Sequence, residues 1–160
     1  MNHSSIELAL EFNLPANQDV NPILEMMQEF YAGEEIQFHP EVQHGALLQL
    51  ITDPNLGQAR LVKYEGVQVG YFVICFGFSL EYGGRDAFLD EIFLLKNYRG
   101  LGIGQQCMEE IERICIDYQV KTLHLQVFHK NPRAKKFYKG IGFEEQNRYF
   151  FSKNIRSKRS

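Results

Sequence analysis

The sequence predicts an α/β (α+β) fold, a mixed and mostly antiparallel sheet of about six to seven strands with helices on both faces. Two observations carry that expectation. Three strand-like runs, at about 58–64, 68–78 and 87–95, are joined by the tight turns Glu65-Gly66 and Glu81 to Arg85, which makes an antiparallel meander. The third run then enters a glycine-rich stretch, an amphipathic helix and another strand, so residues 87–128 form a parallel β-α-β crossover at the centre of the fold.

A chain of 160 residues with 44 % hydrophobic content suits one globular domain over 1–160, with a core at about 5–153 and a basic tail at 154–160. The first 20 residues hold no Lys or Arg and no long apolar run, and the longest apolar stretch, Tyr71 to Phe78, is too short to span a bilayer. A cytoplasmic protein without a membrane partner is expected. Cys75, Cys107 and Cys115 are spaced for neither zinc nor a disulfide framework, and read as reduced, buried thiols. The net charge of −3 conceals an asymmetry: residues 1–95 carry 14 acids against 3 Lys/Arg, and residues 96–160 carry 6 against 14. This suits two solvated faces, or a basic half that holds a polyanionic ligand beside an acidic half that attracts a cation.

The elements follow in order. Ile6, Leu8, Leu10 and Phe12 alternate with polar residues, as in a half-buried first strand that Pro15 ends. Asn21-Pro22 reads as N-cap and first helical position; Ile23, Met26, Met27, Phe30 and Tyr31 share the inward face, and Gly33 closes the helix. A second helix over Pro40 to Thr52 turns Val42, Ala46, Leu47, Leu50 and Ile51 inward, and Asp53-Pro54-Asn55 breaks it. Beyond the meander, Ile103, Cys107, Ile111, Ile114, Cys115 and Tyr118 repeat at helical spacing, and Leu123, Leu125 and Val127 alternate in the next strand. Asn131-Pro132 caps a short helix carrying Ala134, Phe137 and Tyr138 that ends at Gly140, and Gly142-Phe143 and Asn147 to Lys153 supply the closing strands.

Function is concentrated in Tyr98 to Gln106. Three glycines at alternate positions let the backbone turn tightly and leave N–H groups uncovered at a helix N-terminus, where an anion is favoured. From Leu95 to Met108 there is no Asp or Glu, whereas Lys96 and Arg99 supply positive charge. A Walker loop would end in Lys-Ser/Thr, and Gln105-Gln106 stands there. A dinucleotide fold would need Gly-x-Gly-x-x-Gly and an acid ending the next strand, which instead ends in Phe128-His129-Lys130.

Arg99-Gly100-Leu101-Gly102-Ile103-Gly104 resembles Arg/Gln-x-x-Gly-x-Gly/Ala, the acetyl-CoA loop of the GNAT family of N-acetyltransferases. The segment from Leu125 to Tyr138, followed by Gly142-Phe143, resembles the second cofactor motif of that family, with Asn131, Ala134, Phe137-Tyr138 and Gly-Phe at its spacings. Leu89 to Leu94 and the tyrosine of Phe137-Tyr138 are most similar to the small-molecule amine branch, which includes diamine and polyamine acetyltransferases; those enzymes have the two acids of Asp90-Glu91 in reverse order. The resemblance implies acetyl-CoA as co-substrate, held by the loop Arg99, Gly100, Leu101, Gly102, Ile103, Gly104 and Gln105 and by backbone N–H groups at Ile92, Phe93 and Leu94. Ala134 and Tyr138 join that set, and Asn131 is either a contact to the pantetheine arm or an N-cap.

An amine must lose a proton before it attacks a thioester, and a nearby carboxylate can collect it. Asp90 and Glu91 are the candidates; as neighbours on a strand their side chains are expected on opposite faces. Tyr138 matches the family tyrosine that protonates the departing thiolate. Glu34, Glu35 and Glu81 lie in connections that the family places around the acceptor, and are candidate partners for an ammonium group. No metal is expected, since His3, His39, His44, His124 and His129 are scattered, with His124 expected exposed. The function expected is direct acetyl transfer to a small cationic amine by a homodimer to which Tyr149-Phe150-Phe151 contribute. The alternatives are a non-catalytic acyl-CoA-sensing module on the same fold and a protein or peptide acetyltransferase. Nucleic-acid binding is disfavoured, because the cofactor accounts for the basic half.

Overall fold

The structure, a computed structural model, describes residues 9–155. Ile6 and Leu8 of the expected first strand lie outside the described residues. The chain divides into two compact units, residues 1–125 and 126–160.

The first unit runs β1 Leu10–Asn13, α1 Val20–Gly33, α2 Pro40–Thr52, β2 Gly57–Tyr64, β3 Val67–Ser79, β4 Gly84–Leu94, α3 Ile103–Asp117 and β5 Thr122–His124. The sheet has strand order β1-β2-β3-β4-β5; the first four are antiparallel neighbours, and β5 joins β4 in parallel through the crossover helix α3. Alternation divides the sheet into two apolar faces. Ala59, Leu61, Tyr71, Val73 and Phe93 pack with Val20, Ile23, Met26 and Met27 of α1 and Leu47 of α2. The intervening residues Val62, Phe72 and Ile74 are equally buried on the other face, and the Phe76 ring lies 4.9 Å from that of Tyr118 at the end of α3. The helix α3 buries Ile103, Cys107, Met108, Ile111, Ile114 and Cys115.

Several boundaries differ from the expectations, each for a local reason. The chain winds up before Asn21: a 3-10 turn at Asn17–Asp19 is closed by the Asp19 carboxylate on the Ala16 N–H at 2.8 Å, and Asp19 is the N-cap of α1. Pro22 therefore sits inside the first turn. Along α2 the buried stripe narrows to Leu47, Leu50 and Ile51, and Val42 and Ala46 face solvent. The strand expected through Leu125 and Val127 pairs only over Thr122–His124.

The second unit contains α4 Pro132–Gly140, and none of its described residues is in a strand. The described sheet thus has five strands rather than six or seven. The closing strands expected at 142–143 and 147–153 are not found there, since a strand exists only where a second backbone supplies the ladder. Tyr149, Phe150 and Phe151 are 92 %, 72 % and 88 % exposed. No helix among the described residues is long and apolar enough to cross a membrane.

Gly70, like Gly57, is a position where the sheet tolerates no side chain. A Cβ there would collide with the Phe93 carbonyl and lie 2.7 Å from Leu94 Cδ2. Gly70→Ala is expected to lower the unfolding free energy by about 1–3 kcal/mol. Chemical denaturation checks this, and an unchanged midpoint would contradict the close approach of β3 and β4.

Candidate functional site

The site is built around the far half of β4. This strand is paired with β3 along its length, but β5 follows it only at Asp86, Ala87 and Phe88. The backbone groups of an antiparallel strand point alternately to its two sides. The Leu95 N–H donates to Val69 at 2.8 Å, so the register assigns Phe93 and Glu91 to β3 and turns Ile92 and Leu94 to the open side. The Leu94 carbonyl confirms this, because it accepts the Arg99 Nε–H at 2.8 Å. Of the three backbone groups expected to be available, those of Ile92 and Leu94 face the open edge and that of Phe93 faces β3.

The open edge leads directly into the glycine turn. A 3-10 turn at Lys96–Tyr98 is followed by Gly100 (φ 76°) and Gly102 (φ 86°), both left-handed, which L side chains rarely adopt. Gly102 is the N-cap of α3; no side chain caps the helix and no acid stands in its first turn. The Gln106 N–H donates to the Gly102 carbonyl at 3.3 Å, which leaves the N–H groups of Ile103, Gly104 and Gln105 ahead of the ladder. Arg99, Gly100, Leu101 and Gly102 are exposed, and Ile103 is fully buried as the anchor of the helix. The Arg99 guanidinium lies 5.3 Å from the Phe93 ring centre, so this cation is held by the strand it follows. Backbone N–H groups, helix dipole and positive charge form a cradle that fits a phosphate-bearing ligand.

The two carboxylates are not arranged as simple alternation predicts. The register steps from Val73–Glu91 to Ile74–Leu89, so Asp90 is the extra residue of a β-bulge with no partner on β3. Glu91 lies on the α1/α2 face, where its carboxylate accepts the Tyr31 hydroxyl at 2.6 Å and the Tyr71 hydroxyl at 2.7 Å. The Asp90 charge also acts on this side, since it raises the pKa values of Tyr31, Tyr71 and Cys75, whose side chains sit on that face. The bulge thus removes the simple alternation on which the expected opposition of the two acids rests. Asp90 stays open to solvent but is surrounded by enough protein to push its carboxyl above the usual range. Burial also raises Glu91, against the lowering effect of its two phenol hydrogen bonds.

Tyr31 and Tyr71 are the residues that sequence reasoning missed. Both occupy inward positions and pass for apolar core, and Tyr71 is 1 % exposed. The available signal was chemical: a buried phenol needs a hydrogen-bond partner, and an acid stands two residues from the register partner of Tyr71.

In the second unit, the motif of Asn131, Ala134, Phe137-Tyr138 and Gly142-Phe143 is a helix with both ends fixed. The Asn131 side chain accepts the Ala134 N–H at 3.1 Å, which makes it an N-cap. At the other end Gly142 (φ 104°) donates to the Lys139 carbonyl at 3.2 Å and Phe143 to the Tyr138 carbonyl at 3.0 Å, a Schellman cap. The Phe143 and Tyr138 rings meet edge-on at 5.7 Å. Gly142-Phe143 is thus a helix stop that fixes Tyr138, and not the start of a strand.

The candidate acceptor acids are spread over two connections. Glu34 follows α1, and Glu35 adopts a left-handed φ of 59° in the αL position of the α1 cap. Gly33 is only the last helical residue. Glu81 lies in the turn between β3 and β4. His124, expected exposed, is partly buried: its Nε2 lies 3.2 Å from Asp86 and its ring 4.9 Å from that of Tyr82. Cys107 and Cys115 are buried, Cys75 is half-buried, and burial pushes their thiols up to about 12, 11 and 11 respectively. No group of three or more His, Cys, Asp or Glu side chains that could hold a metal occurs among the described residues.

Comparison with known proteins points to one family. The thialysine N-epsilon-acetyltransferase of Bos taurus is 32 % identical over 102 residues, which cover 64 % of this chain and 56 % of that protein. The spermine/spermidine N(1)-acetyltransferase of Bacillus subtilis is 31 % identical over 87 residues, covering 51 % and 55 %. The chain thus matches little more than half the length of these relatives. The structure of the aminoglycoside N-acetyltransferase AAC(6')-Iy in complex with CoA shares the fold, with a TM-score of 0.77 over 91 % of this chain and 94 % of that one at 15 % identity. The family described as Acetyltransferase (GNAT) matches residues 22–143, from the first turn of α1 to the Gly142-Phe143 cap. With three quarters of its length in that match, the chain belongs to the acetyltransferase (GNAT) family.

Proposed function

We propose that the protein transfers an acetyl group from acetyl-CoA directly to the primary amino group of a small cationic amine. The observation that carries this reading is the open edge of β4 running into the uncapped N-terminus of α3. The glycine cradle suits the pyrophosphate of CoA, with Arg99 beside it. An extended pantetheine arm suits the Ile92 and Leu94 edge, because it can pair there as an added strand would.

The chemistry follows from the same residues. With an alkylamine pKa near ~10.4, about one acceptor molecule in a thousand is neutral at physiological pH. A carboxylate of the Asp90-Glu91 pair takes the ammonium proton, and its raised pKa brings it nearer the useful range. The neutral nitrogen then forms a bond to the acetyl carbon while the carbon–sulfur bond breaks. The backbone N–H groups that face the open edge stabilise the carbonyl oxygen as it gains charge. The second proton lost by nitrogen balances the one gained by the leaving thiolate, for which Tyr138 is the proposed donor.

The acceptor class rests on charge. Glu34, Glu35 and Glu81 are the proposed ammonium partners, and the two named relatives act on thialysine and on spermine or spermidine. Glu35 adds support, since a left-handed cap position favours glycine and a glutamate there costs stability. The exposed Tyr149-Phe150-Phe151 run supports a homodimer, and three unpaired cysteines suit a reducing, cytoplasmic setting.

Three variants test the reading. Gly102→Val is expected to abolish acetyl-CoA binding in a folded protein, and normal calorimetric binding would remove the glycine turn from the site. Tyr138→Phe is expected to lower turnover at least about tenfold with little change in cofactor affinity; unchanged turnover would remove Tyr138 from the mechanism. Glu35→Gly is expected to gain about 1 kcal/mol of stability while raising the KM for a cationic amine. An unchanged KM would take Glu35 out of acceptor binding.

A further inference from the structure

The Glu91 clamp joins three elements. Tyr31 belongs to the last turn of α1, Tyr71 to β3 and Glu91 to β4. Each carboxylate oxygen already receives a short hydrogen bond from a phenol, an arrangement stronger than a neutral pair. Burial and the adjacent charges push both phenols upward, so they remain protonated donors. A proton arriving at Glu91 would weaken both bonds, because it removes the charge that strengthens them.

Tyr31 also organises the connection that follows it. Its carbonyl accepts the Ile36 N–H at 2.8 Å, and its ring meets the Phe38 ring edge-on at 5.6 Å. Together with the Glu35 N–H on the Ala32 carbonyl at 3.3 Å, this is a Schellman cap with a glutamate where glycine is favoured. The connection carrying Glu34 and Glu35 is therefore fixed through Tyr31, and Tyr31 is fixed by Glu91. Asp90 is held by nothing comparable: it is the extra residue of the bulge, without a β3 partner and open to solvent.

We propose that Glu91 is a positioning residue that locks the acceptor-side connection to β4 through Tyr31, and that Asp90 alone collects the amine proton. This division of labour rests on the acetyl-transfer reading, whereas the lock itself does not. The titratable groups facing the pair are Tyr31 from α1 and Tyr71 and Cys75 from β3. All three are neutral in the pH range of interest, and the Asp90 charge helps to raise the Glu91 carboxyl.

The test compares the wild-type protein with Asp90→Asn, Glu91→Gln, Tyr31→Phe and Tyr71→Phe. It measures kcat/KM against pH with thialysine as the probe acceptor, and amide hydrogen exchange over residues 32–39. Asp90→Asn is expected to abolish the acid limb and leave exchange unchanged. Glu91→Gln is expected to keep the limb, because burial alone raises the Asp90 carboxyl. Glu91→Gln and Tyr31→Phe should both raise the amine KM about fivefold or more and speed exchange at Ile36 about tenfold. Tyr31→Phe should likewise keep the limb. Loss of the limb in Glu91→Gln but not in Asp90→Asn would overturn the assignment of the base. Unchanged exchange in both Glu91→Gln and Tyr31→Phe would overturn the lock. If the wild-type protein acetylates no amine, the transfer reading fails, and the exchange arm still decides the lock.

Discussion

Strand β4 must satisfy β3 along its whole length while β5 leaves it after Phe88. A backbone edge opened inside a fold is costly unless its polar groups find partners. The protein meets part of this demand from its own sequence: Arg99 reaches back to the Leu94 carbonyl and lies over Phe93. The groups at Ile92 and the uncapped first turn of α3 remain directed outward from the strand and the helix. The Asp90 bulge, the glycine turn and the exposed backbone donors are adaptations to that parting of two strands.

The same region concentrates charge in a way that stability alone would not favour. Two adjacent carboxylates carry raised pKa values because burial disfavours their charge. One is offset by two phenols supplied by a helix and a neighbouring strand; the other stands at the bulge. Close by in sequence to Tyr31, Glu35 holds a left-handed backbone that glycine would hold more easily. Local costs of this kind are tolerated where a site needs a particular group at a particular place. The Glu91 clamp and the Glu35 backbone lie on the side of the sheet covered by α1 and α2, Glu65 and Gln119 hold left-handed backbones elsewhere, and the glycine cradle supplies the opposite sign of charge.

How much of this was legible in the sequence depends on the range of the signal. The meander and helix α3 are strong periodic patterns and lie where expected; α2 has its expected bounds but a narrower buried stripe, and the crossover strand stops at His124. The glycine cradle was legible because its chemistry is local: positive φ, no acid and no side-chain cap can all be read from consecutive residues. The bulge was not, since one extra residue shows only when the register with β3 is known. Without it, alternation places Asp90 and Glu91 on opposite faces. The Tyr31–Glu91–Tyr71 clamp joins residues 60 and 20 positions apart, beyond any local pattern. Gly142-Phe143 misled in the other direction. It is expected as part of a closing strand, but its glycine is the stop of α4 and its phenylalanine packs on Tyr138.

The most direct test of the central claim is release of free CoA thiol from acetyl-CoA, measured across a panel of amines with the full-length protein. Acetyl transfer to a small cationic amine predicts thiol release that depends on the amine, saturates for diamines or lysine-like acceptors, and yields one acetylated product per thiol. Tight acetyl-CoA binding with no amine-dependent release anywhere in the panel would contradict it, and would leave a binding module built on the same fold.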